Sequence, residues 1–420
     1  MILSCETGIE YAMTEKKNQL LTVPGKKLMA IPRFKKAASR KSENYPASKS
    51  VKIENAGNCI TAPLIFVPGI MGSRLFKKGS SEPIWPPVGW RDSRRLKPQS
   101  PGDLINAGDI EVSRNEPLFP LVYSELLRYL ENMGYILGRN FWIFPYDWTQ
   151  SNRKSGEQLG EFIRDILSTH IQWHYVDIVN HSMGGFITRA AAGLFSAPVR
   201  RAVYIASPHY GSPKAYFILH PEIEFSVFGN FFNNVIGELA WRWYLHQFRW
   251  ANTKNVEEEI KRMASQMDSV FELLPDRFYL TQQHPLVVKK GLSGDSPVYG
   301  LEATYYTEQF RFSSPEMQSR VRRAMAFKEE LGASLFGQEN LVIYSDSENT
   351  ADQIIHTDLM HLRFEQYQDS GQKGDELVPA DSASLNHFPG AKRVPGTHNG
   401  VPNSQETSLL IRDFLLRQEV

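Results

Sequence analysis

The chain has 420 residues, 41% hydrophobic and 22% charged, with a formal net charge of +1, values ordinary for a soluble globular protein. The charge is uneven: residues 1–60 carry 11 Lys/Arg against 5 Glu, or +6, which leaves −5 for the rest. A body of that sign gives no electrostatic basis for nucleic-acid binding, and no apolar run approaches the roughly 18 residues that span a bilayer.

The two cysteines, Cys5 and Cys59, both lie in the basic N-terminal stretch. Two widely spaced thiols make neither a disulfide framework nor a zinc site, so no metal or cofactor is expected. The first residues lack a charged region followed by an apolar core, so no signal peptide is expected and the cytoplasm is the default, with peripheral membrane contact as the variant. Residues 1–60 read as a disordered basic extension; the functional alternative is attraction to anionic lipid.

Order begins with Leu64-Ile65-Phe66-Val67, a continuous apolar run bounded by Pro63 and Pro68-Gly69, as in a strand buried on both faces. The glycine-rich stretch Gly69-Ile70-Met71-Gly72-Ser73 follows. Apolar spacing then predicts helices over 124–133 and 156–170, with a strand at 141–144 between them that ends at Pro145-Tyr146-Asp147-Trp148. A buried strand, Val176–Val179, leads into Asn180-His181-Ser182-Met183-Gly184-Gly185 and a helix from 183 to 194. Another strand, 203–206, closes on Ser207-Pro208-His209-Tyr210-Gly211-Ser212. Strands alternating with helices call for a mostly parallel sheet covered on both faces. In such sheets ligands bind beyond the carboxyl ends of the strands. The glycine loop, the Tyr-Asp-Trp turn, Ser182 and the His209 loop all fall on that edge.

The alternation then stops. Residues 213–340 read as a helical lid or cap insertion without a clear sheet strand, including helices over 255–274 and 314–332. Eleven aromatics fall within residues 216–250, against about 4 expected from the chain average of 12%. Leaving four such rings in water would cost about 6–12 kcal/mol. They therefore pack on the core or meet an apolar partner such as a membrane surface or lipid particle. Sheet-like pattern resumes at 340–344, with short strands at 354–356, 362–367 and 391–394 and a closing helix over 407–417. The expected organisation is an extension over 1–60, a core over 61–212 and 341–420, and the insertion over 213–340.

A serine pushed out at a strand–turn–helix junction is an exposed candidate nucleophile, although Asn180 stands where G-x-S-x-G has its first glycine. It needs a histidine base and a carboxylate to orient that base, in the chain order Ser, acid, His. Six aspartates fall in the interval: Asp346, Asp352, Asp358, Asp369, Asp375 and Asp381. Asp375 is preferred because Gly374 precedes it and Leu377-Val378-Pro379 anchors the loop, with Glu376 as an open alternative. Beyond it lie two histidines, His387 and His398. His398, between glycines after a short β-like segment, suits the base better.

Taken together, Ile65–Ser73, Pro145–Trp148, His181–Gly185, Phe271-Glu272-Leu273-Leu274-Pro275, Gly374-Asp375 with Val378-Pro379, and His398 resemble the lecithin:cholesterol acyltransferase family. These stretches run in the family's order across residues 63–415. The resemblance implies an α/β-hydrolase fold with a lid and a triad of Ser182, Asp375 and His398. It also implies oxyanion donors at the backbone N–H of Met71 and Met183, and acyl-lipid substrates passed through a serine ester to an alcohol or to water. Ile70, Trp148, His209 and Tyr210 are the candidate substrate-binding residues. A plain lipase or esterase, and an inactive lipid-binding protein on the same fold, are the rival expectations. The oligomeric state is not legible.

Overall fold

The computed structural model describes residues 60–79, 83–85, 110–112, 120–219, 261–280, 286–291, 294–298, 314–352, 354–356, 364–365 and 372–417. All lie within the unit Asn55–Val420. The basic extension and most of the aromatic stretch, residues 220–250, lie outside the described residues.

In chain order the strands are β1 (Leu64–Val67), β2 (Leu75–Lys77), β3 (Pro83–Trp85), β4 (Ile110–Val112), β5 (Phe141–Ile143), β6 (Val176–His181) and β7 (Val199–Ile205). They continue with β8 (Val287–Gly291), β9 (Gly294–Val298), β10 (Glu339–Tyr344), β11 (Glu348–Asn349), β12 (Ile354–His356), β13 (Phe364–Glu365), β14 (Lys373–Gly374) and β15 (Lys392–Arg393). The helices are α1 (Pro120–Asn132), α2 (Asn152–Thr169), α3 (Gly184–Gly193), α4 (Pro213–Leu219), α5 (Asp268–Glu272), α6 (Pro315–Leu331), α7 (Ala380–Ala383) and α8 (Gln405–Leu415).

Six strands form the central sheet in the order β15-β10-β7-β6-β1-β5, and every pair in it is parallel. This is the α/β-hydrolase architecture, with helices on both faces. Strand alternation assigns the faces. Ile65, Val67, Ile178 and Tyr204 pack with Leu159 and Ile163 of α2 and Phe186 and Ile187 of α3. Their chain neighbours Leu64, Phe66, Val179 and Val203 pack on the other side with Leu126 and Leu130 of α1 and Ile411 and Leu415 of α8. Both faces being covered is why β1 is an unbroken apolar run and why every residue of β1, β6 and β7 is buried, the polar ones of β6 and β7 included. At the amino end of β6, Asp177 takes a two-pronged buried ion pair from Arg200, Nε to Oδ1 at 2.9 Å and Nη2 to Oδ2 at 2.6 Å. It fastens β6 to β7.

Helix boundaries differ from the sequence reading mostly at amino ends. α2 begins at Asn152, not Gly156, because Ser151 caps it with a side-chain bond to Arg153 N. α6 runs as expected from its Ser314 cap to Gly332. Three short strands, β2, β3 and β4, form a small antiparallel sheet that the sequence reading did not contain.

Residues 213–340, expected to be helical without a clear sheet strand, differ from that expectation in two ways. They are not all helical: β8 and β9 form an antiparallel hairpin, and β8 pairs with β12 in a four-stranded sheet. The segments Val287–Gly291 and Gly294–Val298 have too few alternating apolar residues to signal strands, and the ladder with residues 354–356 supplies what local pattern does not. The helix expected over 255–274 also breaks. Met267 is extended (φ −97°, ψ 109°) and a fresh helix, α5, starts at Asp268. Ser265 bonds back to the Arg262 carbonyl at 2.8 Å just before the break, the local competition that ends helices.

α5 docks on the core through Glu272. Its carboxylate accepts from Ser151 Oγ at 2.7 Å and from Asn152 N at 2.6 Å, at the amino end of α2, where unpaired N–H groups and the helix dipole attract an anion. Arg320 of α6 reaches Asp268 at 2.6 Å and joins α5 to α6. Among the described residues no helix is long and apolar enough to cross a membrane.

Candidate active site

β6 ends at His181, and the next residue, Ser182, takes the left-handed conformation (φ 54°). A non-glycine residue held there is strained by roughly 1–3 kcal/mol, a feature that clusters at functional sites. The strain is fixed by the Ser182 N–H donating to Ile205 O of β7 at 2.9 Å and by α3 starting two residues later. The turn is crowded: a Cβ on Gly184 would meet Val67 O at 2.6 Å. Asn180 does not supply the unusual backbone angle. It lies inside β6, fully buried, and its Oδ1 accepts from Ser207 Oγ at 3.0 Å. The missing first glycine is thus a side-chain tie between two strand ends.

His398 comes to Ser182 from the loop after β15. Its Nε2 lies 2.8 Å from Ser182 Oγ and its Nδ1 lies 2.8 Å from Asp375 Oδ2. All three are buried, with Ser182 6% exposed. Asp375 follows β14 and is held on its other oxygen by the N–H groups of Leu377 (3.0 Å) and Val378 (2.7 Å). Its carbonyl also accepts the His398 N–H at 2.9 Å, so acid and base loops are joined through backbone as well. Glu376 stands at φ 78°, with its N–H on Thr350 Oγ1. His387 is elsewhere, with its side chain 70% exposed and near Asp381.

The loop after β1 closes the other side. A Cβ on Gly69 would sit 2.8 Å from Ser182 Cβ, so only glycine lets the loop come this near. Met71, also left-handed (φ 63°), is fixed by Trp85 Nε1 donating to its carbonyl at 2.8 Å. Tyr146 Oη donates to Pro68 O at 2.9 Å and Trp148 Nε1 to Ser73 O at 3.1 Å. Trp148 also packs edge-on against Trp85. The Tyr-Asp-Trp turn therefore holds the glycine loop in place. Neither Met71 N–H nor Met183 N–H donates a hydrogen bond among the described residues.

Of the candidate substrate-binding residues, Ile70 is half-buried within this loop. His209 is buried against the Tyr204 ring, with Arg189 donating to its carbonyl, and burial pushes its ring pKa well below the usual histidine range. Tyr210 stacks on Phe278. Two residues the sequence reading did not single out, Tyr123 and His181, bond to each other at 2.9 Å directly behind the site. His181 was legible only as part of the serine motif, and Tyr123, one residue before the helix expected over 124–133, gave no signal. Among the described residues no cluster of His, Cys, Asp or Glu is arranged to hold a metal ion.

The family model for lecithin:cholesterol acyltransferase matches residues 117–225. That span takes in the Tyr-Asp-Trp turn, Ser182 and the His209 loop. A search of curated proteins finds no match. Among solved structures, the Tle4–Tli4 complex contains a chain 15% identical to this one, with a TM-score of 0.61, covering 84% of this chain and 98% of that one. The lipase BlEst2 of Bacillus licheniformis in its mature form is 12% identical, with a TM-score of 0.39, covering 86% and 95%. At these identities the likeness to the first is one of fold.

Proposed function

We propose that this chain, an α/β-hydrolase matching the lecithin:cholesterol acyltransferase family over residues 117–225, is a serine enzyme acting on acyl-lipid esters through an acyl-enzyme. The observation that carries the reading is the hydrogen-bonded line Ser182 Oγ, His398 Nε2, His398 Nδ1, Asp375 Oδ2, each link 2.8 Å. The fold and the family match support an ester as substrate.

In this reading Ser182 Oγ attacks the ester carbonyl carbon while its proton passes to His398 Nε2. Asp375 holds Nδ1–H and stabilises the imidazolium. Negative charge gathers on the former carbonyl oxygen, where the N–H groups of Met71 and Met183 act as donors; one such donor is typically worth about 2.7–4 kcal/mol. The carbon–oxygen bond to the leaving alcohol breaks, and the His398 proton goes to that alcohol. A second alcohol or water then gives its proton to His398 as it attacks the serine ester, and His398 returns that proton to Ser182 Oγ as the serine leaves and the acyl product is released. With an alcohol the enzyme is an O-acyltransferase; with water it is a lipase or phospholipase. Ile70 and the loops of Trp148, His209 and Tyr210 would border the acyl lipid, and the insertion over 213–340 would form its lid.

Fluorophosphonate labelling of the wild type and of Ser182→Ala tests the nucleophile, and labelling that persists in the variant sinks it. Incubating the purified protein with acyl-labelled phospholipid, with and without diacylglycerol or a sterol, then separates transfer from hydrolysis. Label appearing in the acceptor lipid identifies an acyltransferase; label only in free fatty acid identifies a hydrolase.

A further inference from the structure

The hydrogen bonds behind the site form a chain whose donors and acceptors are all determined. Gly69 N–H donates to Tyr123 Oη at 2.9 Å, and Tyr123 Oη lies 2.9 Å from His181 Nδ1. His181 Nε2 lies 3.0 Å from the carbonyl oxygen of His398. A carbonyl only accepts, so His181 Nε2 carries the hydrogen; Nδ1 of the neutral ring then accepts, and the phenol donates to it. Tyr123 is 1% exposed and His181 2%. Burial keeps the phenol protonated and holds the His181 ring well below the usual histidine pKa, the state this pattern needs. The His181 and His398 rings lie 4.7 Å apart.

We infer that Tyr123 and His181 are positioning residues that tie the loop carrying His398 to the loop carrying Gly69, so that base and oxyanion loop hold one register across Ser182. The proposal rests on the reading of Ser182 and His398 given above. The line crosses the site from behind: Gly69 precedes Met71, His181 immediately precedes Ser182, and the last bond ends on His398 itself. A second clamp supports the same geometry. Asn403, five residues past His398, donates to Val122 O at 2.7 Å and to Asn399 O at 2.8 Å, while its Oδ1 accepts from Leu126 N. The helix bearing Tyr123 and the loop bearing His398 are thereby fastened together. A displacement of the base by about 1 Å is enough to cost roughly 10²-fold in rate.

The test measures kcat and KM for p-nitrophenyl butyrate hydrolysis in Tyr123→Phe, His181→Phe, their double variant and His181→Gln, beside Ser182→Ala. Tyr123→Phe keeps the ring packed edge-on against Phe66 and removes only the hydroxyl. Each single loss should lower kcat by about 10²-fold and leave KM within about twofold. The double variant should be no worse than the weaker single, since one broken link already opens the chain. His181→Gln keeps an N–H that reaches the His398 carbonyl and should recover part of the His181→Phe loss. Leu130→Ala, a destabilising truncation on the same helix, should leave kcat per folded molecule unchanged. Losses that multiply in the double variant, that fall on KM, or that His181→Gln does not relieve would overturn the relay while the Ser182 dependence stands. Turnover surviving in Ser182→Ala would overturn the reading of the site and the relay with it.

Discussion

Gly69 and Ser182 approach so closely that a β-carbon on the first would lie 2.8 Å from the β-carbon of the second. The same imagined atom would lie 3.3 Å from His181 Nδ1 and from the His181 carbonyl, so the loop has no room to retreat without breaking its hydrogen bond to Tyr123. Gly69→Ala should therefore push the glycine loop, and Met71 with it, away from the nucleophile. Esterase kcat should fall about 10²-fold, with Ser182 still labelled by a fluorophosphonate, only more slowly. Unchanged kcat in a folded Gly69→Ala protein would remove this loop from the oxyanion site.

Asp375 and Glu376 are adjacent carboxylates with different surroundings. Asp375 accepts two backbone N–H groups on one oxygen and meets His398 with the other. Asp375→Asn should cost about 10⁴-fold in kcat, the size seen when a triad acid loses its charge. Glu376→Gln should cost far less. Steady-state kinetics on the two variants decides between them, and the reverse ranking would move the acid by one residue.

Restoring the glycine that G-x-S-x-G lacks should not help. Asn180→Gly deletes the bond to Ser207 Oγ inside a fully buried strand. The loss of one hydrogen bond and the added backbone entropy together amount to about 1–2 kcal/mol. A urea titration should show that loss with no gain in kcat.

Glu272 links α5 to the amino end of α2 and carries a pH signature. Burial, outweighing the hydrogen bonds from Ser151 and Asn152, raises its pKa from 4.5 to about 7. Between these values the folded state binds more protons than the unfolded one, so stability falls as pH rises. Its contribution is fully present below about pH 4.5 and is lost as pH climbs through about 7. The span corresponds to at most about 3 kcal/mol. Glu272→Gln, which cannot ionise, should lose that slope, so the stability difference between wild type and variant should shift in the variant's favour from pH 5 to pH 8. Denaturant melts across that range measure it; parallel curves would contradict the assignment.

The residues of the candidate site were legible because each falls at a strand end with its own local signal: glycines after Leu64–Val67, Ser182 between Met183-Gly184-Gly185 and a buried strand, His398 between glycines. Chain order then ranked the partners. The sheet was legible for a related reason, since strands covered on both faces carry apolar residues toward both, as Leu64–Val67, Ile178-Val179 and Val203-Tyr204-Ile205 do. The hairpin β8–β9 was not legible, because its pairing with Ile354–His356 is made with residues distant in sequence and leaves no local period.

Sequence alone thus determined the order of strands and helices in the core and the apolar faces, and it marked Ser182, Asp375 with Glu376 beside it, and His398 as candidates. Tertiary structure alone decided what those ends do to one another. The left-handed Ser182, the tie from Asn180 to Ser207, the choice of Asp375 over Glu376 as the neighbour of His398, and the line from Gly69 through Tyr123 and His181 to His398 are all such outcomes. Periodicity records which face a residue turns toward the core. Hydrogen bonds between residues 23 to 217 positions apart depend on distances that exist only once the sheet has brought the loops together.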